Sequence, residues 1–278
     1  DVYKRQYEMI DGSMAVPEVL HGRLIDAYKT YLMTGGMPEV ISDYADHRDW
    51  KAVTDIQDGI IKSYSLDFSK HINNKDIPRV FQVWNSLQDQ LAKEDRKFRY
   101  ADIQKGARAR EYEAAIEWLC LSGIVHRVNA VETPRIPLSE YSKSNAFKLY
   151  MNDVGLLCRK FSLHPNTIVS GNRLFTEFKG ILSENYVMQS LARQYRNTVF
   201  YWTSGNTAEV EFILQNGDDI VPIEVKSDNN IKAKSLAMYR KKYNPSLSIR
   251  LSTRNLHRDG DLLNLPLYLA EKINKGAT

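Results

Sequence analysis

Residues 208–226 read Ala208-Glu209-Val210-Glu211-Phe212-Ile213-Leu214-Gln215-Asn216-Gly217-Asp218-Asp219-Ile220-Val221-Pro222-Ile223-Glu224-Val225-Lys226. Both ends alternate apolar and polar residues with a period of two, the pattern of half-buried strands. Asn216-Gly217 between them is hairpin material. Val210, Phe212 and Leu214 are expected to point one way, with Val221, Ile223 and Val225 matching them across the pair. All six share a face only if paired residue numbers sum to an odd value. A four-residue loop, Asn216 to Asp219, sets Glu211 opposite Glu224 and Glu209 opposite Lys226. A two-residue loop, Asn216-Gly217, sets Glu209 opposite Glu224 instead. In either register Glu209, Glu211, Glu224 and Lys226 gather on the polar face.

Opposed residues hold their Cβ atoms about 4.5–5.5 Å apart, so two carboxylates there repel each other. A cation between them relieves the repulsion, either Lys226 or a metal. Mg²⁺ accepts one or two carboxylates and keeps waters. It would activate a water and neutralise phosphate charge, while Lys226 stabilises charge that develops in the reaction. Upstream, the stretch from about Thr176 to Tyr195 has helical spacing, with Phe178, Ile181, Leu182, Met188 and Leu191 on its apolar side. Glu184 falls on that side. A buried carboxylate must be paired or bound to a cation, so Glu184 is expected as a further metal ligand or as a partner of Lys226.

A strand at Val199–Thr203 precedes the hairpin, and a basic helix and a strand near Leu247–Leu251 follow it. The polar stretch Ser162 to Asn172 reads as a linker between this α/β part and a helical part. Before it, Trp50, Val53, Ile56, Ile60 and Tyr64 mark one helix, and Ile77, Val80, Phe81, Trp84, Leu87 and Leu91 mark another. A short helix near Ala101–Lys105, a helix Arg110–Ser122 and strands at Ile124–Val131 and Lys148–Met151 follow. That order is the order of a winged helix, over about residues 75–155. The basic run from Arg96 to Arg110, with Lys234 and Lys232 after the hairpin, makes Arg99, Lys105, Arg108, Arg110, Lys232 and Lys234 candidate phosphate contacts. A solvated face is the alternative for such runs.

The chain has 278 residues and a net charge of +4, which suits about two domains and permits a nucleic-acid partner. Its 43% hydrophobic and 26% charged residues describe a globular protein. Cys120 and Cys158 lack disulfide or zinc spacing. No apolar run approaches the roughly 20 residues of a membrane span, and no signal peptide is visible. A cytoplasmic location without membrane contact is expected. The six histidines are scattered without ligand spacing.

The segments YLMTGGMPEV at Tyr31–Val40, KLYMNDVGLL at Lys148–Leu157, GILSENYV at Gly180–Val187 and YWTSGNTAEVEFIL with VPIEVKS at Tyr201–Ser227 occur together. From about residue 20 onward the chain resembles the C-terminal region, a domain of unknown function, of bacterial and archaeal AAA-type ATP-binding proteins. Glu184, Glu211 and Glu224-Val225-Lys226 resemble the PD-(D/E)XK pattern: helix acid, strand acid, then acid-any-lysine. The resemblance implies an α+β chain. A helical and winged-helix part over 21–162 precedes an α/β restriction-endonuclease-like domain over 170–274. It implies catalytic Glu224 and Lys226, and Mg²⁺ held by Glu184, Glu211 and Glu224. The family's strand acid is often Asp, and Glu211 carries one more methylene.

No Gly-Lys pair of a phosphate loop occurs, and the opening Asp1-Val2-Tyr3-Lys4-Arg5-Gln6 resembles translated adapter sequence. The expectation is a truncated gene, with residues 1–20 as the remnant of an upstream domain that would bind ATP. The expected function is nucleic-acid binding, to DNA, with a nuclease-like phosphodiesterase domain. The alternative is an inert nuclease-like fold that serves as an interaction or regulatory module for its own ATPase domain.

Overall fold

A computed structural model describes residues 2–10, 14–164, 173–195, 198–205, 207–227 and 233–273. In chain order it runs α1 (Val2–Met9), α2 (Glu18–Thr34), α3 (Pro38–His47), α4 (Trp50–His71), α5 (Ile77–Leu91), α6 (Ala109–Leu121), β1 (Val125–Val131), β2 (Ser142–Met151) and α7 (Val154–Lys160). It continues through α8 (Arg173–Tyr195), β3 (Val199–Thr203), β4 (Glu209–Asn216), β5 (Asp219–Lys226), α9 (Lys234–Tyr243), β6 (Ser248–Ser252), β7 (His257–Asp259) and β8 (Leu262–Pro266). The class is α+β: helices first, then a mixed eight-stranded sheet in the order β2-β1-β3-β4-β5-β6-β8-β7. Helix boundaries follow local chemistry. Asp49 caps α4 by accepting the amide of Lys51 at 2.8 Å, and Pro78 sits in the first turn of α5, where a missing N–H costs nothing.

The chain divides into two compact units, each built from separated segments. One comprises Lys29–Val128 and Asn145–Gln189. Its core is aromatic: Phe68 meets Phe81, Trp84 and Trp118 edge-on, with ring centroids 5.4–5.8 Å apart. Val80, Trp84, Leu87 and Leu91 of α5 are buried, as their spacing predicts. Asp153 caps α7 through the Leu156 amide at 2.9 Å and also receives the Gly36 amide at 2.7 Å. Burial pushes the Asp153 carboxyl above its usual range, and the amide donors pull it back. Gly35 takes a φ of +66°, a conformation that ends α2.

The other unit comprises Asp1–Tyr28, Asn129–Ser144 and Ser190–Thr278. Its strands β3, β4 and β5 are antiparallel neighbours, and β6 joins β5 in parallel, with β8 parallel beyond it. Leu236 and Tyr239 of α9 pack with Phe200, Trp202, Val210 and Ile213 as one buried cluster. A strap from the N-terminal segment closes over the β6–β7 connection. The Val16 amide donates to Asn255 Oδ1 at 3.0 Å, and His21 Nδ1 meets the Tyr268 hydroxyl at 2.8 Å.

Two features depart from the sequence reading. Val210 pairs with Trp202 while Ile213 pairs with Phe200, so three steps along β4 match two along β3. A β-bulge therefore lies at Glu211 and Phe212, and it puts Val210 and Ile213 on one face. Strict alternation had placed Val210 with Phe212 instead. The edge strand β7 and its neighbour β8 were also unforeseen; Leu262 to Pro266 lacks alternation because β8, between β6 and β7, is almost wholly buried.

Candidate functional site

The β4–β5 ladder pairs Phe212 with Ile223, Leu214 with Val221 and Asn216 with Asp219. Every pair sums to the same odd number, the register of the longer-loop alternative, and the ladder ends at Phe212–Ile223, one step short of Glu211 and Glu224. The turn itself is tighter than that alternative. Asn216 and Asp219 still pair, and Gly217 turns the chain with a φ of +60°.

Glu224 follows Ile220 and Pro222 on one face of β5, the face that carries Ile220 against the α9 cluster. Its side chain is buried, 2% exposed. Oε1 lies 2.6 Å from Lys226 Nζ. Oε2 is buried with no hydrogen-bond partner among the described residues. Glu211, at the bulge, accepts the Val225 amide at 3.3 Å through Oε2. The bulge thus turns one carboxylate toward the strand that carries the other. Glu209 is half-buried at the start of β4, and its amide lies 3.4 Å from Ser235 Oγ of α9.

The row continues across the sheet. Arg250 on β6 is the parallel neighbour of Glu224, and Ser252 is that of Lys226. Asn264 on β8 is the neighbour of Arg250. Burial lowers the Arg250 pKa, the charges of Arg254 and Arg240 lower it further, and Glu224 opposes them. Arg250 and Arg254 were visible in the sequence only as members of a basic run. Asn264 carried no signal there, because its role depends on pairing between strands.

Glu184 is buried, as its helix phase predicts, but its partners are not the expected ones. In the unit of Lys29–Val128 and Asn145–Gln189 its Oε2 lies 2.7 Å from Arg96 Nη1. Its Oε1 lies 3.2 Å from Lys148 Nζ and also accepts the Tyr150 hydroxyl. Lys148 is itself fully buried. Coulombic attraction from Arg96 and Lys148 outweighs burial and keeps the Glu184 carboxyl below its usual range. Both oxygens are thereby engaged by cations of this unit, and Lys226 pairs with Glu224 instead. Among the described residues no three Asp, Glu, His or Cys side chains converge to hold a metal ion.

The candidate phosphate contacts divide. Arg99 is in an ion pair with Asp95. Lys105, Arg108 and Arg110 are exposed around the entry to α6. Lys234 is exposed at the first position of α9. Lys232 lies outside the described residues. No helix among the described residues is long and apolar enough to cross a membrane.

Residues 25–167, just over half of the chain, match the family model described as domain of unknown function DUF8612, and the chain belongs to that family. Residues 179–268, which hold Glu211, Glu224, Lys226 and Arg250, match a second model, domain of unknown function DUF4143. No curated protein and no solved structure matches the chain.

Proposed function

We propose that this member of the DUF8612 family is the C-terminal part of an AAA-type ATP-binding protein, and that its residues 179–268 act on nucleic-acid phosphodiesters as a PD-(D/E)XK nuclease-like module. The observation that carries the reading is Glu224, a buried carboxylate with one oxygen on Lys226 and the other without a hydrogen-bond partner among the described residues, next to Val225, whose amide Glu211 accepts. An unsatisfied buried carboxylate oxygen is costly unless a cation reaches it. The connectivity supports the same reading: a helix, three antiparallel strands, a helix, then a parallel strand beside the acid-any-lysine strand. The second match supports the ATPase link, since that domain is common in proteins associated with AAA-type ATPases.

The donor set fits Mg²⁺, which needs only one or two carboxylates besides water and substrate. Glu211 and Glu224 would hold it. Bound there, it would supply Lewis acidity toward a phosphate oxygen and a more acidic water. Lys226 would then place its ammonium on a phosphate oxygen as charge builds. The run α5, a 3-10 turn at Tyr100–Asp102, α6 and the strands β1 and β2 supports a winged-helix reading. Lys105, Arg108 and Arg110 would meet the DNA backbone there.

The test is cleavage of labelled DNA and RNA with Mg²⁺ or Mn²⁺, comparing wild type with Lys226→Ala and Glu224→Gln. Metal-dependent cutting that both variants lose is the expected result; equal background in all three removes the catalytic claim. A second reading, an inert module that docks its own ATPase domain, is favoured by the Lys226–Glu224 pair, which already compensates the charge. That equal background would be its first support.

A further inference from the structure

Arg250 stands between Glu224 on one side and Asn264 on the other, as the directly paired residue in each parallel ladder. Asn264 is 2% exposed, and its amide is used from both ends. Its Oδ1 accepts Arg250 Nε at 3.1 Å and Ser252 Oγ at 2.8 Å. Its Nδ2 donates to the carbonyls of Asn255 at 3.0 Å and Arg254 at 3.4 Å. One buried amide therefore orients one guanidinium and holds the backbone that carries another. The Arg254 amide donates to Ser252 Oγ at 3.2 Å, which closes the loop.

An arginine held through Nε has its plane set before any ligand arrives. A planar, oriented guanidinium is the group that forks onto a phosphate, and a lysine at the same place is only a point charge. The surroundings favour an anion: the charges of Arg254 and Arg240 act on Arg250, and Arg240 already grips Asp261.

We infer that Arg250, oriented by Asn264, and its neighbour Arg254 form the subsite that takes the phosphodiester backbone of nucleic acid beside Glu224 and Lys226. The inference rests on the reading of that site as nucleic-acid-handling, but not on its cutting anything. Arg250 binds the phosphate, and Asn264, which acts through it, is a positioning residue.

The experiment measures anisotropy of a short labelled DNA duplex with the full chain in EDTA, where cleavage is impossible, over a range of salt. Arg250→Ala is expected to weaken binding about tenfold and to lower the slope of log affinity against log salt by about one. Arg250→Lys is expected to restore the slope but only part of the affinity, because it keeps the charge and loses the fork. Asn264→Ala is expected to weaken binding with the slope unchanged; if it fails to fold, the Arg250→Lys comparison decides. Binding by Arg250→Ala equal to wild type, or no binding by wild type, overturns the inference. A protein that binds in this pattern yet never cleaves DNA refutes the nuclease reading and leaves the subsite standing.

Discussion

Lys148 and Glu184 lie 3.2 Å apart with both side chains out of solvent, and Arg96 supplies the second cation at 2.7 Å. The Tyr150 hydroxyl donates to the same carboxylate. Lys148→Met is expected to destabilise the protein by about 3–5 kcal/mol, the usual cost of leaving a buried ion pair broken. Because its partners hold the Glu184 carboxyl below the ordinary value of 4.5, this stabilisation is present above that pH and is lost as the pH falls toward the folded value. Urea midpoints from pH 6 to pH 3 check it: the loss in acid should shrink in Glu184→Gln. An unchanged acid slope sinks the account.

A methyl at Gly155 would sit 2.4 Å from the Gly35 nitrogen, and one at Gly35 would sit 2.0 Å from Asp153 Oδ1. Neither neighbour is a flexible chain end: one is backbone, and the other is a carboxylate fixed by two amides. Each glycine-to-alanine change is expected to cost more than about 2 kcal/mol, with Gly35→Ala also strained by its φ of +66°. Gly59→Ala, whose methyl meets nothing, is the control. Thermal melts of the three variants decide the matter.

Removing the ammonium from Lys226 leaves Glu224 charged and buried without its cation. Lys226→Met is expected to lower stability by about 2–4 kcal/mol, and adding Glu224→Gln is expected to recover most of it. If Mg²⁺ uses the same oxygens, millimolar Mg²⁺ should raise the wild-type melting temperature and leave Glu224→Gln unmoved. A double mutant no more stable than Lys226→Met alone contradicts the pairing seen in the structure.

Lys160 rests its ammonium 4.4 Å from the ring centroid of Trp84. Burial brings its pKa down to about 8, against 10.5 for an ordinary lysine, with Asp89 opposing the shift. Between those values the unfolded chain holds more protons than the folded one, so stability rises with pH across the window. Lys160→Met is expected to stabilise the protein at pH 7 and to flatten that rise. A lower melting temperature for the methionine variant at pH 7 means that the contact with the indole outweighs the desolvation.

The hairpin could be read from sequence because period-two alternation and the Asn-Gly turn are local signals, and burial restricted the register to a few choices. The bulge at Glu211 could not, since it arises from the match of β4 to β3, a partner outside the repeating pattern. Glu184 shows the same limit. Helix phase predicted its burial, but its cations come from Arg96 and Lys148, 88 and 36 positions away in the chain. The basic run near α6 was visible as charge, yet only the structure shows that Arg99, exposed like Lys105 and Arg108, is in an ion pair with Asp95. Asn264 was silent because an amide's value lies wholly in what stands beside it.

The strap that joins Val16 to Asn255 and His21 to Tyr268 has a consequence for biosynthesis. A ribosome delivers Val16 some 239 residues before its partner. Until β8 emerges, the first segment of this unit has nothing to close upon, whereas every segment of the aromatic-cored unit is already out. Contacts so distant along the chain form slowly. The nascent protein therefore carries an unfinished sheet from the emergence of β1 to that of β8, and that interval is when a chaperone would find it.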